Sequence, residues 1–210
     1  MNLKIILSRP QMGENIGAAA RIMSNFGFTD LRIVDPRDGW PNEKASAMSA
    51  GGLGVIEKAQ VFSSLKDAIA DLNFVVATSA EFRDIEKPVC SPEQAVKIVR
   101  EKRRVGLLFG CERTGLTNEE LTMSDLVIQI PTHEANRSLN LAQAVAIVSY
   151  EFSKMLLKPM PTRELPDFAS KEELEFLFGH LESELDNSNF YKNDDMKIAL
   201  KLNVRNMFIR

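Results

Sequence analysis

Apolar residues fall along this chain in short dense runs separated by longer amphipathic stretches. The runs at 3–7, 31–35, 74–78, 105–109 and 126–130 are rich in Val, Ile, Leu and Phe, of strand length and apolar nearly throughout. Strands covered on both faces read this way. Between them, segments 15–26, 64–72, 92–102 and 139–157 repeat apolar positions at helical spacing. This alternation predicts an α/β fold, a mostly parallel sheet with helices on both faces. Asn15 is placed to cap the first helix and Gly27 to stop it, while Ser91 precedes Pro92 at a first helical position.

The pattern changes at Lys158. Residues 158–170 hold Pro159, Pro161 and Pro166, three of the chain's nine prolines, and read as a semi-rigid linker after a body of residues 1–157. Ser170 and Glu173 then form a capping box for a helix with Leu174, Leu177, Phe178, Leu181 and Leu185 on one face, and a last helix is expected over 193–207. Residues 171–210 are thus a helical extension with its charge split. Residues 164–195 hold ten acidic side chains against two lysines, whereas Lys197, Lys201 and Arg205 recur every fourth position near the end. Such a stripe is either a solvated face or a row of phosphate contacts.

Composition narrows the class. A hydrophobic fraction of 44% and a charged fraction of 26% exclude a disordered chain, and two cysteines exclude a disulfide scaffold. Those thiols, Cys90 and Cys111, lack metal-ligand spacing and suit a reducing cytoplasm. No apolar run approaches the ~20 residues of a membrane span, and no cleavage site follows the short apolar start, so neither membrane nor secretion is expected. With 26 basic against 29 acidic residues, any nucleic-acid role must use a local patch, for which Arg9, Arg21 and the Lys197–Lys201–Arg205 stripe are the candidates. Phosphate-binding GxxxxGK[ST] and GxGxxG turns and the GxSxG elbow are absent, and two histidines, His133 and His180, are too few for a His-rich metal site.

Four segments carry candidate chemistry. Asn15-Ile16-Gly17-Ala18-Ala19-Ala20-Arg21 sets an arginine beside a low, small-residue helix face, open to an anion or to close backbone approach, or is simply a cap with packing alanines. Gly110-Cys111-Glu112-Arg113-Thr114-Gly115 follows a buried strand as a ligand loop or a tight turn with Gly115 at positive φ. Ser138-Leu139-Asn140-Leu141 follows another strand and opens a helix. Ala77-Thr78-Ser79-Ala80-Glu81 lies at a third strand's end. Ligands of open α/β sheets sit beyond the carboxyl ends of strands, so the loops around Thr78, Gly110 and Ser138 suggest one composite pocket. Taken alone, these residues equally allow a small-molecule-binding domain without an RNA partner.

The ordered set Asn15-x-Gly17-x3-Arg21, Gly110-x-Glu112-x2-Gly115 and Ser138-Leu139-Asn140 resembles the three motifs of the SpoU/TrmH-type branch of the SPOUT RNA methyltransferases. The likeness covers about residues 2–157, and the Asn203-Val204-Arg205-Asn206-Met207-Phe208 ending is similar to the helical extension of its tRNA 2′-O-ribose methyltransferases. The resemblance implies a C-terminal trefoil knot and bound S-adenosylmethionine. It also implies a homodimer whose Arg-bearing motif approaches the partner's cofactor, and a tRNA substrate methylated at nucleotide 32, cytidine or uridine, of the anticodon loop. Carried over by position, Thr78, Ser79, Ala80, Gly110, Ile130, Ser138, Leu139, Asn140 and Leu141 line the cofactor site, and Arg21, Asn15, Glu112, Ser138 and Asn140 form the catalytic set. Cys111 departs from the pattern, standing where such sequences often have Arg. Other SpoU-type readings are methylation of rRNA or another tRNA position, and a non-catalytic RNA- or cofactor-binding homologue.

Overall fold

The computed structural model describes residues 2–80, 86–157 and 169–208. Most of the expected linker, residues 158–168, and Glu81 of the fourth segment lie outside the described residues. The chain divides into two compact units, residues 1–159 and 160–210.

The first unit is a seven-stranded sheet, parallel throughout. Its strands are β1 (Asn2–Ser8), β2 (Asp30–Val34), β3 (Gln60–Phe62), β4 (Phe74–Thr78), β5 (Val89–Cys90), β6 (Arg104–Phe109) and β7 (Leu126–Ile128), in the order β3-β2-β1-β6-β4-β7-β5. Its helices are α1 (Gly13–Asn25), α2 (Glu43–Ser49), α3 (Leu53–Glu57), α4 (Leu65–Ile69), α5 (Pro92–Val99), α6 (Asn118–Thr122) and α7 (Leu141–Ser153). The two-residue period of the strands sorts their side chains. Ile5, Leu31, Ile33, Val76, Leu107 and Ile128 face one layer with α1, α2, α3, α5 and α7, while Ile6, Val34, Val75, Ala77, Leu108 and Val127 face α4 and α6. Both faces are therefore covered, as the continuous apolar runs require. No described helix is long and apolar enough to cross a membrane.

The structure corrects several expectations. β7 ends at Ile128, two residues early, and α7 begins at Leu141 rather than 139 and ends at Ser153. Asn15 is not the cap of α1. The helix begins at Gly13 after Met12, which offers no side-chain cap, and Asn15 lies buried in the first turn. Gly27 ends the helix as expected, at φ +78°. The low face around Gly17 is already filled, because a Cβ there would stand 2.3 Å from the Ala45 carbonyl oxygen of α2.

Buried polar groups pin the sheet to its loops. Glu120 of α6 accepts from the Ser8 hydroxyl at the end of β1, from Thr117 N–H at 2.6 Å and from Arg9 at 2.7 Å. Burial alone would raise this carboxyl, but those hydrogen bonds and the Arg9 charge outweigh it and hold it below the usual glutamate value. A lowered folded-state pKa contributes stability that is full above the unfolded value, ~4.3, and is lost as pH falls through the folded one. Glu120→Gln is accordingly expected to cost about 1–3 kcal/mol at pH 7. In urea unfolding the gap to the wild type should narrow toward pH 3, and a gap of constant size would contradict this role.

The second unit is a helical hairpin, α8 (Lys171–Asn187) and α9 (Asp194–Phe208). Ser170 and Glu173 form the expected capping box. Phe178 is its one buried apolar side chain, Leu174, Leu181 and Leu185 are half-buried, and Leu177 is exposed.

Candidate cofactor cavity and its polar frame

All strands run the same way, so their carboxyl ends share one edge of the sheet. There the loops after β4, β6 and β7 and the start of α7 enclose a cavity of about 390 Å³. Its size falls in the range of about 300–1,000 Å³ usual for small-molecule sites. Thr78, Ser79, Ala80, Gly110, Ile130, Ser138, Leu139 and Leu141 line it, as expected from the sequence. Glu112 lines it too. Asn140 does not, and neither do Asn15 and Arg21. The sequence reading missed Phe109, Leu116, Ile128 and Ala144 on the apolar wall and Arg113 and Arg137 among the polar lining residues. The apolar ones carried a signal, since each belongs to a buried strand, to the end of the Gly110–Gly115 loop or to the inner face of α7.

The Gly110 loop is folded tightly on itself. A Cβ at Gly110 would stand 2.2 Å from the Gly115 carbonyl carbon, so only glycine lets these two backbones touch. Gly115 N–H donates to the Cys111 carbonyl at 2.9 Å, and Gly115 takes φ +64°. Cys111 is buried inside the turn, its Sγ 3.0 Å from Thr114 Oγ1. Burial would raise this thiol, but hydrogen bonds from Thr114 and Arg113 and the nearby Arg9 charge draw it below its ordinary value. The position that departs from the family motif thus holds the loop together from within.

At the cavity wall, Glu112 ties the Gly110 loop to the start of α1. Its carboxylate accepts from Gln11 N–H at 2.7 Å, Met12 N–H at 3.1 Å and Asn15 Nδ2 at 2.8 Å. This supplies the acceptor that Met12 cannot offer at the start of α1, where a negative charge is also favoured by the helix dipole. Asn15 Oδ1 in turn accepts from Asn140 Nδ2 at 3.0 Å, and Asn140 Oδ1 caps α7 by accepting from Ala142 N–H at 2.9 Å. Asn15, Glu112 and Asn140 are therefore one chain of hydrogen bonds that fixes α1, the Gly110 loop and α7 against one another. Ser138 stands exposed at the cavity two residues before the cap.

The basic candidates fare differently. Arg21 is exposed on α1, and among the described residues no carboxylate pairs with it. Arg9 is held by Glu120. The Lys197–Lys201–Arg205 stripe turns toward α8: Lys197 pairs with Asp186, Lys201 with Glu182 at 2.9 Å and Arg205 with Glu175 at 2.8 Å. Acidic and basic halves of the tail neutralise each other across the hairpin, so the stripe is not an open row of cations. Among the described residues no cluster of His, Cys, Asp or Glu could hold a metal ion.

The profile of the SpoU rRNA methylase family matches residues 2–150. The chain belongs to this family. Membership makes it an S-adenosylmethionine-dependent RNA 2′-O-ribose methyltransferase. It is 34% identical over 215 residues to the tRNA (cytidine-2′-O-)-methyltransferase TrmJ of Methanocaldococcus jannaschii, covering 99% of this chain and 93% of that one. It is 36% identical over 198 residues to the tRNA (cytidine/uridine-2′-O-)-methyltransferase TrmJ of Sodalis glossinidius, covering 91% and 77%. Among solved structures, TrmJ from Z. mobilis ZM4 superposes with a TM-score of 0.73 at 42% identity, covering 98% of this chain and 89% of that one. A structure described as giving insight into 2-OH methylation of C/U34 on tRNA matches with a TM-score of 0.59 at 26% identity, covering 73% of this chain and 95% of that one.

The cavity suits the methyl donor of a SpoU methylase. Leu116, Ile128, Ile130, Leu141 and Ala144 offer an apolar bed for a purine, and Thr78, Ser79 and Ser138 add polar side chains to the lining.

Proposed function

We propose that this protein methylates the ribose 2′-hydroxyl of nucleotide 32, cytidine or uridine, in the anticodon loop of tRNA, acting as a homodimer in the cytoplasm. The extent of the likeness carries the choice of substrate. Relatives named tRNA 2′-O-methyltransferases match 91–99% of the chain, tail included. The C/U34 structure matches 73%, no more than the length of the α/β unit, which makes nucleotide 34 the second reading. The order β6-β4-β7, with α7 returning to pack on α1 and β6, supports a chain tied in a trefoil knot at this end of the sheet.

What the cavity lacks supports the dimer reading. Arg21 does not line the cavity of its own chain. The outer face of α7 exposes Ile147 and Tyr150, and Phe26 at the end of α1 meets the Tyr150 ring edge-on at 6.0 Å. An apolar face shared by these two helices suits a second copy, whose Arg21 would then reach the cavity.

S-adenosylmethionine supplies an electrophilic methyl group on a sulfonium. A ribose hydroxyl is a weak nucleophile at neutral pH, so positioning and electrostatics must lower the barrier. The Arg21 guanidinium brings a planar set of N–H donors that stabilises the alkoxide developing on the 2′-oxygen. Ser138, at the cavity, orients the ribose. Asn15 and Asn140 position these elements through Glu112 rather than touching the reacting atoms.

Incubation with methyl-labelled S-adenosylmethionine and total tRNA, then nucleoside analysis and position mapping, tests this reading. The expected product is 2′-O-methylcytidine or 2′-O-methyluridine at nucleotide 32. Label at nucleotide 34, or in rRNA alone, would overturn it.

A further inference from the structure

The charge on the cavity wall does not match the charge of the methyl donor. At neutral pH S-adenosylmethionine carries a sulfonium and an ammonium against one carboxylate, a net positive charge. Among the described residues the wall bears one carboxylate, Glu112, and two guanidinium groups, Arg113 and Arg137. Glu112 is already engaged by Gln11, Met12 and Asn15. Arg113 and Arg137 are both exposed, and among the described residues neither has a hydrogen-bonding or ionic side-chain partner. Elsewhere several basic groups are matched by carboxylates: Arg9 by Glu120, Arg32 by Asp71, Arg37 by Asp38 and the tail stripe by α8. Two uncompensated cations are therefore brought to one cavity by two different loops, one immediately after Glu112 and one immediately before Ser138.

Like charges held together without a counter-ion prefer an anion. The planar guanidinium fork suits phosphate. RNA chemistry fixes where phosphate must be. The 2′-oxygen sits on the carbon adjacent to the one that bears the 3′-phosphate. Any RNA that delivers its 2′-hydroxyl to the donor thus delivers a phosphodiester to the mouth of the same cavity.

We propose that Arg113 and Arg137 grip the phosphodiesters flanking the target ribose, and that these two residues, not the Lys197–Lys201–Arg205 stripe, are this chain's contacts to the substrate phosphates. This rests on the RNA reading above. The other anion of the right kind is the donor's own carboxylate, and the experiment separates the two. Full-length wild type, Arg113→Ala, Arg137→Ala and the double variant are compared in three measurements. These are tRNA binding between 50 and 300 mM salt, S-adenosylmethionine binding by calorimetry, and steady-state methylation.

Each alanine is expected to flatten the slope of log K against log salt by about 0.7–0.9, and to raise KM for tRNA about tenfold with kcat nearly unchanged. Donor affinity should not move. Arg113→Lys and Arg137→Lys should keep the slope while losing part of the affinity, because charge survives and the fork does not. Loss of donor affinity with an unchanged salt slope would give the arginines to the donor carboxylate and overturn the proposal. So would variants that leave both measurements unchanged. If the wild type methylates an rRNA fragment instead of tRNA, the functional reading fails, and the salt slope on that fragment decides the arginines separately.

Discussion

Arg21→Ala is expected to lower kcat for methylation by about 10²–10³-fold, the scale seen when one donor to a developing oxyanion is removed. Binding of S-adenosylmethionine should be unchanged, because Arg21 does not line the cavity of its own chain and is proposed to act on the ribose oxygen rather than on the donor. The variant should also fold normally, since no described side chain pairs with that guanidinium. Equal loss of donor binding and activity would reject this division of roles. The same variant tests whether two chains share one reaction centre. Co-expression of Arg21→Ala subunits with Gly110→Ala subunits would form mixed dimers, each with one complete centre. If half of all dimers are mixed, about a quarter of wild-type activity returns. Failure to recover activity would mean that Arg21 serves its own chain.

Gly110→Ala should abolish function by a different route. Its new Cβ would meet the Gly115 and Leu116 backbones at 2.2 and 2.3 Å, and backbone cannot swing aside as a side chain can. The loop carrying Glu112 would have to move, taking part of the cavity wall with it. Donor affinity should fall at least about tenfold, and overpacking of this kind costs about 1–3 kcal/mol, or roughly 3–10 °C in melting temperature for a chain of this length. Gly115→Ala is the control. That position has φ +64°, but a Cβ added there would have nothing within 4 Å, so the cost is backbone strain alone, about 1–2 kcal/mol. Calorimetry with S-adenosylmethionine and thermal unfolding would separate the two. If Gly115→Ala harms donor binding as much as Gly110→Ala, close backbone packing is not what Gly110 provides.

Strands β1, β2, β4, β6 and β7 are legible in the sequence because a strand buried on both faces must be apolar at nearly every position. The loops around Thr78, Gly110 and Ser138 are legible as one site because parallel strands put their carboxyl ends on one edge. Edge strands β3 and β5, of three and two residues, leave no such mark, and helices α2, α3 and α6 are too short to show a 3.6-residue period. The tail's basic stripe shows its spacing in the sequence but not its partner. Whether it faces solvent or the acids of α8 depends on how the hairpin closes.

The α/β alternation, the covered sheet and the three polar loops that border the cavity are written in the order of residues, because burial and helical or strand periodicity are local patterns. Which polar groups meet is settled only by folding. Asn15 reads as a cap until Glu112, 97 positions away, and Asn140, 125 positions away, bond to it. Arg9 reads as a free cation until Glu120, 111 positions away, accepts from it. A hydrogen bond acts over about 3 Å of space whatever the distance along the chain. The identity of a partner so far off in sequence therefore enters only when the sheet and its helices bring the two groups together.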